Sequence, residues 1–224
     1  TSDQIISNLT EDKDILLVGN GSSLLKEQLL NINSKLTINC IEKTYHCANT
    51  LLNLGENMFL QNLPCIESYE GPAYIRFGRA AVPVINDNPD YKFEIGKGTV
   101  VREGKDVTIV ATGICVDSAM GAAEKLAAEG IDAEVTNICT IKPLDEELII
   151  ASAKKTGKVV TVEEHSVIGG LGSAVCDCLS ERLPTPVKKI GMYDVFGESG
   201  SAAALVAKYG LDAEGVYKSV KAWM

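Results

Sequence analysis

No stretch of this sequence approaches the ~20 consecutive apolar residues of a membrane-spanning helix, and its first residues do not form the basic-then-apolar pattern of a secretory leader. An excess of cationic side chains is also missing. The 21 Lys and Arg are scattered among 30 Asp and Glu, and the net charge is −9. Nucleic acid and membrane surfaces are therefore not expected as partners. Metal-ligand spacing is absent too. Histidines number two and cysteines seven, an odd count at irregular intervals. Cys176 and Cys178 stand two apart on an expected helix and so point to different faces. No zinc or other metal site is expected from them, and the reading is of reduced, mostly buried thiols in a cytoplasmic protein. The glycines Gly169, Gly170 and Gly172 miss the GxGxxG spacing of a dinucleotide loop, and no acidic residue follows ~20 positions later at a strand end.

What is present is ordinary material for an α/β core. The 224 residues are 46% hydrophobic and 23% charged, enough to bury a substantial interior. The stretch from Gly157 to Val175 organises the rest. Val159 to Val162 is a β-branched run suited to a strand covered on both faces. Glu163, Glu164 and His165 fall where that strand gives out, and the glycine turn then opens a small-residue helix. Before it, Asp106 to Thr112 and Ala133 to Ile138 read as strands, and Ser118 to Glu129 as a helix with Gly130 after it. The next helix has clear punctuation. Asp145 can cap it, Glu146 and Glu147 open it, Lys154 and Lys155 close it, and Gly157 follows. Val187 to Ile190 reads as a further strand, with helices capped by Ser199 and Asp212 after it. Strands alternating with helices predict a doubly wound, mostly parallel α/β sheet.

The first part of the chain reads as a smaller βαβ unit. Asp14 to Val18 and Leu36 to Ile41 are its strands, 24–30 and 46–54 its helices, and Asn20-Gly21-Ser22-Ser23 the first turn. Ala73 to Phe77 alternates as a half-buried strand closed by Pro83. Asn86-Asp87-Asn88-Pro89-Asp90 is a turn signal, and Tyr91 to Val101 an extended or hairpin segment. The expected organisation is a βαβ unit over 1–84, a linker over 85–104, and the doubly wound domain over 105–224.

Five stretches carry a resemblance to a known family. They are EGPAYIRFGR (70–79), GKDVTIVATG (104–113), IKPLD (141–145), VEEH (162–165) with its glycine turn, and DVFGESG (194–200). In this order the chain resembles the C-terminal section of transketolase, from the end of the pyrimidine-binding domain through the whole C-terminal domain. The resemblance implies thiamine-diphosphate-dependent transfer of two-carbon ketol units between sugar phosphates, with magnesium, in a homo-oligomer or with a companion transketolase subunit. Residues 1–65 do not share it. Too few residues precede the linker to complete a pyrimidine-binding domain, and the diphosphate-binding domain is not represented. Thiamine diphosphate is thus not expected to be held by this polypeptide alone.

Site residues follow from both readings. By resemblance, Arg79 matches the arginine that grips the sugar phosphate, and a guanidinium at a strand end suits bidentate capture; a surface ion pair is the competing account. Arg76 shares a face with Gly78, where a salt bridge is the simpler role. Ile41 to His46 faintly echoes the family's cofactor-activating signature, which would put the catalytic glutamate at Glu42; a solvated strand end explains it with less. No other catalytic residue is identified. His165 beside Glu163 and Glu164 could form an acid–base group, but no nucleophile is placed to use it, and the resemblance puts this turn in a domain that contributes to the subunit interface. Asn20 to Ser23 could receive an anion, although helix capping suffices. Asp194, Phe196, Glu198 and Ser199 read as a turn and cap, in a loop whose aromatic could meet a partner. Two functions remain. One is a transketolase section inactive by itself; the other is a non-catalytic assembly or binding module. Exposed sheet edges left by an incomplete domain predict a dimer or larger.

Overall fold

The computed structural model describes residues 14–18, 37–41, 73, 74, 76, 83–85 and 91–224. Glu42, Arg79, the Asn20 to Ser23 turn and the helices expected over 24–30 and 46–54 lie outside the described residues. The chain forms two compact units, Thr1–Ala81 and Val82–Met224. In the first, β1 (Asp14–Val18) and β2 (Thr37–Ile41) pair in parallel, with Asp14 opposite Thr37 and Val18 opposite Ile41.

The second unit contains the strands β3 (Thr99–Arg102), β4 (Val107–Ala111), β5 (Ala133–Asn137), β6 (Val159–Ser166) and β7 (Val187–Met192). Its helices are α1 (Cys115–Ala128), α2 (Glu146–Thr156), α3 (Leu171–Arg182), α4 (Ala202–Lys208) and α5 (Ala213–Trp223). The strands lie in the order β3-β5-β4-β6-β7, and all are parallel except β3, which runs antiparallel to β5 at one edge. The mostly parallel α/β sheet expected from the alternation of strands and helices is therefore present.

Strand periodicity divides the core in two. Val107, Ile109 and Ala111 of β4 pack with Ala119, Ala122 and Leu126 of α1 and Val216 and Val220 of α5. Val110 turns the other way, toward Ile149 and Ala153 of α2 and Leu171, Val175 and Leu179 of α3. With helices on both sides every residue of β4 is buried, so its sequence VTIVA shows no hydrophobic–polar alternation. One charge goes inside with it. Glu134 of β5 is fully buried, accepts from Thr108 Oγ1 at 3.2 Å and pairs with Lys155 of α2.

Helix ends follow the sequence closely in places. Asp145 caps α2 by accepting from Leu148 N at 3.1 Å, and its second oxygen accepts from Gly98 N at 2.9 Å. Gly157 ends α2 in the left-handed region, and Asp212 caps α5 by accepting from Gly215 N at 2.9 Å. Elsewhere the boundaries differ from expectation by a few residues. Ser201, rather than Ser199, caps α4. The helix expected from Ser118 starts at Cys115. β3 lies at the end of the stretch read as extended or hairpin, and its four partly buried residues TVVR form the edge strand. No helix among the described residues is long and apolar enough to cross a membrane.

Candidate functional site

β6 and β7 deliver two loops, 167–170 and 193–201, at the carboxyl end of the sheet. Pairing passes from Val162↔Ile190 directly to Ser166↔Met192, which leaves Glu163, Glu164 and His165 opposite the single residue Gly191. This is a β-bulge, a device that re-aims side chains near sheet rims. It needs glycine opposite it. A Cβ on Gly191 would sit 2.9 Å from the His165 carbonyl oxygen and 2.9 Å from Val167 Cγ1.

On the bulge the three polar residues separate. Glu163 is 1% exposed, while Glu164 and His165 are exposed. Glu163 Oε2 accepts from Leu171 N at 2.7 Å, and Oε1 accepts from Gly172 N at 2.8 Å. These N–H groups belong to the first turn of α3, which has no side-chain cap at Gly170. Unpartnered N–H groups and the helix dipole favour an anion there, and here the sheet supplies it. A Cβ on Gly170 would fall 2.1 Å from Glu163 Oε2, so the carboxylate and the glycine require each other. The strand–glycine–helix turn that could have cradled a phosphate is filled from within.

His165 Nδ1 lies 3.0 Å from the Ser166 carbonyl oxygen. Glu163 and His165 thus direct their hydrogen bonds to backbone, and the structure does not join the three residues into an acid–base set. The loop after them is well held. Lys189 Nζ donates to Val167 O at 2.9 Å, Ile168 N to Ser166 Oγ at 3.1 Å, and Gly169 N to Ser173 Oγ at 2.9 Å. It presents Ile168 to solvent, 64% exposed.

The neighbouring loop is longer. Every residue from Tyr193 to Ala204 is exposed, and α4 buries none of its side chains. Phe196 is 98% exposed. Even so, the loop is tied at both ends. Tyr193 OH donates to Lys189 O, and Lys208 Nζ donates to both Glu198 oxygens at 2.7 and 2.6 Å. That contact holds the Glu198 carboxyl below its ordinary range and the Lys208 ammonium above its own. Asp194 adopts φ +44, a left-handed conformation that Asp and Asn tolerate better than most residues.

Of the residues singled out in the sequence, Arg76 is exposed, and Arg79 and Glu42 lie outside the described residues. The described residues do not fit thiamine diphosphate. The α3 N-terminus is taken by Glu163, and the turn before α1 commits the Cys115 and Val116 N–H groups to the carbonyls of Thr112 and Gly113. No group of three or more His, Cys, Asp or Glu side chains able to hold a metal ion stands among them. The capping role of Glu163 was missed in the sequence. Its signal was there: a carboxylate at a strand end, followed by a helix start lacking Ser, Thr, Asn or Asp at its cap.

Residues 96–216 match the family described as transketolase, C-terminal domain. A 6-deoxy-6-sulfo-D-fructose transketolase subunit of Clostridium sp. (strain MSTE9) is 50% identical over 157 residues, 70% of this chain and 48% of that protein. A putative transketolase C-terminal section of Methanocaldococcus jannaschii is 42% identical over 79% of this chain and 52% of its own length. An apulose-4-phosphate transketolase subunit of Phocaeicola vulgatus is 40% identical over 79% of this chain and 56% of that protein. The chain thus spans about half the length of these relatives. Among solved structures, a split-gene transketolase described as an inactive beta4 tetramer superposes with a TM-score of 0.67 at 42% identity, covering 93% of this chain and 65% of that one.

Proposed function

The chain belongs to the transketolase C-terminal domain family, and from that premise we propose that it works as the C-terminal section of a divided transketolase. In this reading a companion chain supplies the diphosphate-binding domain, and with it thiamine diphosphate and magnesium. The assembled enzyme, a cytoplasmic one, moves two-carbon ketol units between sugar phosphates. The observation that carries the reading is the identity of 40–50% to proteins that are themselves described as a subunit or section of a transketolase. The filled α3 N-terminus supports the same division of labour, because a domain that satisfies its own anion site with Glu163 has no place there for a diphosphate.

Residue roles follow the same division. Arg79 is proposed to hold the phosphate end of the sugar, where a planar guanidinium matches two phosphate oxygens at once. Glu42 is the proposed, weaker candidate for activating the cofactor's aminopyrimidine. The doubly wound domain after the linker serves assembly.

Calorimetry with thiamine diphosphate and magnesium, followed by a ketol-transfer assay, tests this. The chain alone is expected to bind no cofactor and transfer nothing, and activity is expected once the companion subunit is added. Arg79→Ala in the assembled enzyme should raise KM for the phosphorylated sugar about tenfold or more, as loss of a charge-assisted contact requires. Cofactor binding by the chain alone would overturn the division proposed here. No stimulation by a companion would leave the non-catalytic assembly module as the better reading.

A further inference from the structure

We draw no further inference here: the strongest candidate, the side-chain cluster in which Lys155 of α2 and Thr108 of β4 meet the buried Glu134 of β5, is a network whose groups satisfy one another and hold α2 on the sheet, and nothing among the described residues points to a ligand or a reaction there.

Discussion

Glu163→Gln keeps the shape of the side chain and changes its hydrogen bonding. One carboxylate oxygen becomes an NH2 group facing a helix N–H, so either Leu171 N or Gly172 N loses its acceptor. A buried donor left unpaired costs about 1–3 kcal/mol, and urea unfolding of the variant should show a loss in that range. Gly170→Ala should be no milder, since its methyl would land on the same carboxylate. A cap was legible for Asp145 and Asp212, whose oxygens meet N–H groups three residues on, but not for Glu163. The difference is sequence distance. Glu163 reaches the start of α3 only because the bulge and the glycine turn fold the chain back over it. The cysteines behave as their surroundings dictate. Burial pushes the Cys176 and Cys178 thiols above their ordinary pKa. Little thiolate forms at neutral pH, so alkylation by iodoacetamide should run slower than for free cysteine and recover only in alkaline buffer.

At the level of elements, α2 has the firmest start. Asp145 holds both the helix end and Gly98 just ahead of β3. Asp145→Ala should cost about 1–2 kcal/mol, and the loss should exceed that for the more exposed cap Ser201→Ala in the same denaturation assay. The packing of α5 on α1 is bordered by carboxylates that bind cations. Lys221 and Tyr217 hold the Glu129 carboxyl low, and Lys125 and Lys218 do the same for Glu214. A carboxyl with a lower pKa folded than unfolded stabilises the fold above its unfolded value, and that contribution is lost as pH falls through the folded one. Thermal melts should therefore fall between about pH 5 and about pH 3, with a shallower acid limb in Glu129→Gln. The strands were legible because β4 and the first half of β6 are runs of β-branched and apolar residues. β3 was legible only as the end of an extended or hairpin stretch, because an edge strand of four residues has half its surroundings missing and shows no full pattern.

For the molecule as a whole, binding of a companion only to the folded chain must raise its stability by mass action. The expected gain is about 2.7 kcal/mol when the companion stands at about a hundred times the dissociation constant, seen as a melting temperature that climbs with companion concentration. By itself the sequence determined the α/β class, the strand and helix order of the second unit, most helix ends, and membership of the transketolase family. Local propensity, periodicity and short motifs carry that information, and each acts over a few turns of chain. Only the tertiary structure decided that Glu163 caps the helix after the glycine turn, that His165 is not joined to the carboxylates beside it, and that the loops after β6 and β7 leave the sheet side by side. Those outcomes depend on which residues meet across a bulge and between adjacent strands, and such meetings are set by register and packing between residues distant along the chain.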